Sequence, residues 1–323
     1  MEKSFKTICI LIIIGILVSI IFNLNIGFLK LNFSDFFSSD SENSQIAQLR
    51  VNRILAMLLA GISIPTSGFL LQEYFQNPLA GPSVLGITSV ASLSVAFYIF
   101  FSQDIVLPEF LQNSFLSISA IGGSLVLMFI LLAFSNRFQD KSFLIIFGFL
   151  VSALAGAIVS ILQFYAESQS LKNYVLWSFG ANNQVSRNQI WVLTIIVLIG
   201  LFLAFKSIKP LIGNSLGTAY AQSLGVNLNQ LKFFVIITSS LLSASVTAFL
   251  GPILFIGIVV PHFCRMIYNP AKLWQQWILN MFLGILIMEF FSIISELSQF
   301  PLNVITSLFG IPVILMMMLK NNK

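Results

Sequence analysis

Few residues in this chain could do chemistry, and they stand far apart. Arg50 and Arg53 are three positions apart, on one face of any helix that holds them. Arginines flanking an apolar run commonly serve as anchors that snorkel to an interface. His262 is the single histidine, which excludes any multi-histidine metal or haem centre. A lone histidine in an apolar stretch is more often a hydrogen-bonded structural residue than a metal or proton site. Glu289 lies inside an apolar run, where an ionised carboxylate is expensive. One acid with no basic partner in the membrane makes a poor proton relay, so a structural role is expected. Cys9 and Cys264 show neither C-x-x-C nor zinc spacing and read as packing residues. No Gly-Lys dipeptide occurs, hence no Walker A loop, and no nucleophile–base pair or carboxylate pair is evident. The expectation is a chain that is not an enzyme and holds no metal and no cofactor of its own.

The elements that must position these residues are membrane helices. Hydrophobic residues make up 57% of the 323 residues and charged residues 8%, and the mean hydropathy is +0.96. A soluble domain carries about 25% charged residues. The net charge of +5 is small and dispersed, which argues against nucleic-acid binding. A span needs about 20 apolar residues, and ten candidates occur: 7–28, 51–71, 84–102, 113–134, 143–165, 189–206, 232–250, 252–268, 273–293 and 302–319. The eighth is short and starts directly after Gly251-Pro252. The first could be a signal peptide, but no convincing small-x-small cleavage site follows, so a retained span is expected.

Basic residues orient the chain. With the N-terminus in the cytoplasm, one side collects Lys3, Lys6, Arg137, Lys141, Lys206, Lys209, Lys232, Arg265, Lys272, Lys320 and Lys323. The other collects Lys30, Arg50, Arg53, Lys172 and Arg187. This bias places both termini and residues 207–231 in the cytoplasm. Within that segment, 214–227 reads NSLGTAYAQSLGVN, too polar to span. Ser215 is suited to cap a short helix and Gly225 to end it. Leu216, Tyr220 and Leu224 recur as one apolar stripe, while Ala219, Ala221, Ser223 and Gly225 are small enough for another protein to come close. Further upstream, NPLAGPSVLG concentrates helix breakers and predicts either a shaped re-entry or an ordinary turn. Spans two to five and seven to ten echo each other, with Gly81-Pro82 and Gly251-Pro252 in matching places. Blocks five spans apart would be inverted, a common transporter plan.

Four stretches carry a specific resemblance. Residues 50–86 hold Arg50, Arg53, Ser67-Gly68, Gln72, Asn77-Pro78-Leu79-Ala80, Pro82 and Leu85-Gly86, and the next is SLGTAYAQSLGVN. GPILFIGIVVPHFCRM (251–266) and FPLNVITSLFGIPVILMMML (300–319) follow in order. Together they resemble the FecCD/BtuC-type permease family, the transmembrane subunits of bacterial ABC importers for iron–siderophore complexes, haem and vitamin B12. Asn52, Gln76 and Gln222 depart from the family's usual proline, arginine and arginine. Ile293 stands where some relatives have an arginine four residues after an acid.

The resemblance implies an all-α polytopic membrane protein of about ten transmembrane helices. It would have two inverted four-helix blocks in the type II ABC importer arrangement, forming a single permease domain over 1–323 in the bacterial cytoplasmic membrane. It implies that Ser215, Leu216, Gly217, Tyr220, Ala221, Gln222, Ser223, Leu224 and Gly225 form a coupling helix for a separate ABC ATPase subunit, which carries ATP and Mg. It also implies that Arg50 and Arg53 dock an extracytoplasmic substrate-binding protein. Asn77, Pro78, Gly81, Pro82, Gly251, Pro252, Pro261, His262 and Arg265 would be structural signatures. A second permease copy or a homologous permease completes the pore. The expected cargo is an iron(III)–siderophore-type chelate, with haem and cobalamin as alternatives. Ser67, Ser89, Ser92 and Thr306 are the side chains expected along the path. An ion-coupled transporter would need several intramembrane ionisable groups, and a non-transporting scaffold would leave the coupling pattern without a use.

Overall fold

The computed structural model describes residues 5–27, 29–36, 43–102, 109–135, 141–180, 185–269 and 272–320. Lys3, Arg137 and Lys323 of the charge count lie outside them. All ten apolar runs form helices: α1 (Phe5–Asn25), α2 (Ser44–Phe75), α3 (Ile87–Phe101), α4 (Glu109–Ser135) and α5 (Lys141–Tyr165) come first. An unforeseen α6 (Ser168–Ser178) precedes α7 (Arg187–Ser215) and the short α8 (Thr218–Ser223). The chain continues as α9 (Leu228–Leu250), α10 (Ile256–Ile267), α11 (Leu273–Ser298) and α12 (Leu302–Lys320). Eight of these are long and apolar enough to cross a bilayer, whereas α3 and α10 are short apolar helices. The 12 residues of α10 extend only about 18 Å, against a hydrocarbon core of about 30 Å.

The two short helices share a cause. Each follows a breaker segment that folds back into the protein, and each is entered through a left-handed residue, Gly86 (φ 82°) for α3 and Phe255 (φ 66°) for α10. Gly81 and Pro82 abut Ile258 and Gly257 at the start of α10, so 80–86 packs against protein, a setting in which irregular backbone is tolerated, while Gln76 and Pro78 before it are exposed. The rest of the packing repeats the echo. Helices α2 and α9 pack on each other, α2 against α10 and α11, and α9 against α3 and α4. At the crossing of α2 and α9, Ser67 Oγ donates to the Ser239 carbonyl (2.9 Å) and Ser239 Oγ donates to the Ser67 carbonyl (3.2 Å). Such a reciprocal pair is what a pseudo-two-fold axis produces.

Small residues set the depth of the contacts. Pro65 lacks an N–H, so the Gly61 carbonyl loses its helical partner, and that carbonyl lies against Gly284 of α11. Phe255 occupies a conformation rarely adopted by a bulky residue, and a Cβ built on Gly310 would lie 2.5 Å from the Phe255 Cβ. Gly310→Ala is therefore expected to destabilise the fold by about 1–3 kcal/mol, read as earlier loss of the monodisperse detergent-solubilised chain on heating. A Gly156→Ala control, whose Cβ would meet nothing within 4 Å, should leave the profile unchanged.

Candidate functional sites at the two ends of α2

Helix α2 carries one group of polar residues near each end. Arg50 and Gln72 lie 22 positions apart by number, roughly 33 Å along a helix and close to the thickness of a bilayer core. Near the first end, α1, α2 and α11 meet. Arg50 is 5% exposed and donates from Nη1 to the Leu24 carbonyl (2.8 Å) and from Nη2 to the Leu29 carbonyl (2.5 Å). Arg53, 2% exposed, pairs with Glu296 of α11 at 2.7 Å and donates to the Asn23 carbonyl at 2.8 Å. The two do share one helix face, as their spacing required, but that face turns inward. Both guanidiniums are engaged by this chain's own backbone and carboxylate, so in this structure neither is presented to a soluble protein. The two arginines cap carbonyls at the end of α1, which sets their side chains inside the packed chain.

Glu289 belongs to the same cluster. Asn23 Nδ2 donates to Glu289 Oε2 (2.7 Å) and lies 3.3 Å from Ser292 Oγ. Asn23 therefore connects the Arg53 guanidinium, through its carbonyl, with the Glu289 carboxyl, through its amide. Glu289 is thus neither isolated nor alone, since Arg53 and Glu296 lie on the same packed surface. Asn23 was the missed residue, and a buried amide in an apolar run was the available signal.

At the other end of α2, two of the sequence stretches meet. Arg265 Nη1 pairs with Glu73 Oε1 (3.1 Å) and its Nη2 donates to Gln72 Oε1, while Gln72 Nε2 donates to the Ile258 carbonyl (3.2 Å). Arg265 thus ties α10 to α2. Pro261 lies inside α10 and His262 beside it is half-buried. Asn77 turns the chain, its Oδ1 accepting the Leu79 N–H (2.9 Å) ahead of Pro78, Gly81 and Pro82. Gly251 (φ 75°), before Pro252, fits tightly, since its Cβ would lie 2.6 Å from the Trp177 carbonyl. Of the departures from the family pattern, Asn52 donates to the Val185 carbonyl and Gln76 ends α2 in the left-handed region.

The segment 207–231 starts differently from its expectation. Helix α7 continues through Pro210 to Ser215, about two turns beyond the expected end. Ser215 therefore does not cap the short helix: its Oγ donates back to the Ile212 carbonyl (2.7 Å), and Gly217 (φ 106°) precedes α8 instead. Gly225 (φ 80°) does follow the helix in the left-handed region. Ala221 is fully buried against Gly213, whereas Leu216, Tyr220 and Leu224 are 62%, 51% and 59% exposed. Gln222 and Ser223 are also exposed. One apolar ridge thus projects from a short helix seated on α7. Asn214, at the end of α7, donates to the Glu73 and Tyr74 carbonyls of α2 (both 3.1 Å). The ridge is therefore linked through α7 and α2 to Arg265 on α10. Asn214 and Glu73 escaped notice because only the packing gives them partners.

Elsewhere, an open cavity of about 550 Å3 lies between α3, α5, α6 and α12. Thr88, Ser89, Ser92, Ser152, Ser178 and Asn303 contribute its polar lining. Ser89 and Ser92 were expected along a path, and they line this cavity. Ser67 and Thr306 do not, because both are fully buried and hydrogen-bonded to backbone carbonyls.

The model of the FecCD transport family matches residues 13–320. The chain is 30% identical to a vitamin B12 import system permease protein of Photorhabdus laumondii, over 87% of this chain and 84% of that one. It is 29% identical to a hemin transport system permease protein of Yersinia pestis, over 93% and 91%. Among solved structures, an inward-facing metal-chelate type ABC transporter superposes with a TM-score of 0.84 at 25% identity, covering 98% of this chain and 100% of that one.

Proposed function

The chain belongs to the FecCD transport family and is a multi-pass ABC importer permease, and from that premise we propose that it carries an iron(III)–siderophore-type chelate across the bacterial cytoplasmic membrane. Two copies, or this chain with a homologous permease, enclose the path, and the hydroxyl-lined cavity beside α5 and α12 forms one wall of it. Hydroxyls and one amide suit the rim of a closed chelate, whose metal keeps the ligands of its carrier. Support for a metal chelate comes from the structural neighbour described as a metal-chelate type transporter. Support for haem comes from the hemin permease relative, which makes haem the second reading. A substrate-binding protein delivers the cargo outside, and both chain termini face the cytoplasm.

The exposed ridge of Leu216, Tyr220 and Leu224 carries the mechanistic part of the proposal. An apolar ridge on the water-facing side of a membrane protein needs a partner, and a separate ATPase subunit is the partner proposed. Closure of two ATPases pushes α8, and the push reaches α2 through Asn214 and α10 through Glu73 and Arg265. Nucleotide state then biases the helices between inward-open and outward-open arrangements. The ATP and Mg belong to the partner.

The test uses the tagged full-length chain purified from its native membrane. A stoichiometric ATPase should accompany it, and Leu224→Asp should remove that subunit and lower cargo uptake at least about 10-fold, with membrane levels of the chain unchanged. Retention of the ATPase by the variant would end the coupling assignment. Cells lacking the chain, supplied in turn with labelled ferric siderophore, haem and cobalamin, decide the cargo. Loss of haem or cobalamin uptake alone would replace the siderophore reading.

A further inference from the structure

A second cavity, of about 640 Å3, opens between the end of α7 and the start of α9. Lys206, Ser207, Lys209, Asn227 and Gln230 supply its polar lining, Phe234 contributes an aromatic side, and Leu224 of the exposed ridge also lines it. We propose that this cavity binds the phosphate headgroup of an anionic phospholipid. Binding here is a property of this chain alone and does not rest on the coupling reading.

The charge balance points to an anion. No acidic residue occurs between Glu167 and Glu289, so none of α6 to α10 carries a carboxylate that could neutralise the two lysines. Glu73, the acid at the nearby end of α2, is paired with Arg265. Lys206 and Lys209 are both exposed. The cavity also receives the first turn of the 23-residue α9, where Asn227 Oδ1 accepts the Gln230 N–H (3.1 Å) and the helix dipole favours negative charge.

Depth and apolar surface turn the anion into a lipid. Lys206 follows Arg187 by 19 positions, about 28 Å along α7, which matches the hydrocarbon thickness and sets Lys206 at headgroup level. Lys209 lies about one turn further out. Phe202 and Phe205 on α7 and Phe233 on α9, close in sequence to the lining residues Lys206 and Phe234, are exposed apolar side chains. The Lys206 Nζ lies 4.7 Å from the centroid of the Phe202 ring, so cation and apolar surface adjoin. Basic pockets between spans at the interface have the chemistry that binds anionic headgroups. A free phosphate would use the lysines and leave the aromatic flank without a role.

The full-length chain in mild detergent would be tested by native mass spectrometry with phosphatidylglycerol and phosphatidylcholine of matched acyl chains. Phosphatidylglycerol is expected to be retained at least about 10-fold better, at roughly one copy per chain, and Lys206→Gln with Lys209→Gln should bring it to the phosphatidylcholine level. The charge-keeping pair Lys206→Arg and Lys209→Arg should retain it, which separates lost charge from lost folding. Equal retention of both lipids, or unchanged phosphatidylglycerol in the glutamine variant, overturns the proposal. Complete displacement by inorganic phosphate would assign the lysines to free phosphate and also overturn it. Exclusion of the lipid by a co-purified ATPase would make the cavity part of the protein interface and would overturn it as well.

Discussion

Gly68→Ala is expected to abolish the native fold. A Cβ at Gly68 would overlap the carbonyl of Gly257, and the Gly257 Cα would lie 2.7 Å from it. Both groups are backbone, so no rotamer change relieves the clash. Relief requires moving α10 off α2, which would break the Arg265–Glu73 pair and the Gln72 bond to Ile258. It would also disturb Gly81 and Pro82, which rest on the same residues. Overpacking a well-filled site costs about 1–3 kcal/mol. Here the contact is fixed by backbone on both sides and is shared by several elements, so the cost should exceed about 3 kcal/mol. Fluorescence-detected size-exclusion chromatography should show aggregated or absent protein, while Gly122→Ala, whose Cβ would meet nothing within 4 Å, stays monodisperse. A native-like profile for Gly68→Ala would mean that α2 and α10 can separate without unfolding.

The second large effect is expected at the Arg53–Glu296 pair. Arg53→Leu removes the cation that faces a Glu296 carboxylate whose side chain is 14% exposed. It also removes the donor to the Asn23 carbonyl, the group that links this pair to Glu289. Breaking a buried pair by deleting one partner costs about 3–5 kcal/mol, because the other charge stays behind without compensation. Removing both partners together can be close to neutral. Arg53→Leu should therefore lower the midpoint of thermal unfolding by many degrees, and adding Glu296→Leu should recover most of the loss. The recovered part is the coupling measured by the double-mutant cycle. Equal losses in the single and double variants would show that Arg53 stabilises through the Asn23 carbonyl alone.

Some of the site was legible in the chain itself and some was not. The left-handed residue after α8 followed from a glycine in a small polar stretch, and the exposed stripe followed from Leu216, Tyr220 and Leu224 at a four-residue spacing. Both depend on neighbours within one or two turns. The partners of Arg50, Arg53 and Arg265 could not be read that way. Their carbonyl and carboxylate acceptors lie 21 to 243 positions away, and a spacing of three residues says which face they share but not whether that face meets water. The end of α7 was misjudged for a related reason. The expected span ended at 206, with Lys206 and Lys209 on the cytoplasmic side, yet a helix does not stop where the bilayer stops. It stops where the backbone can turn, at Ser215 to Gly217.

By itself the sequence determined that the chain crosses a membrane, how many apolar helices it has and where the glycine-proline breakers before α3 and α10 fall. Those properties are sums over local residues: transfer of apolar side chains out of water, internal pairing of backbone groups, and the backbone preferences of glycine and proline. The tertiary structure alone decided that the breaker segments before α3 and α10 fold back into the protein, that two arginines cap helix α1 from inside, and that Asn214, Glu73 and Arg265 connect an exposed ridge to two helices. Each of these depends on groups that are distant in the chain and brought together only by close packing, where a backbone carbonyl or a missing Cβ a few ångströms away settles which arrangement has the lowest free energy.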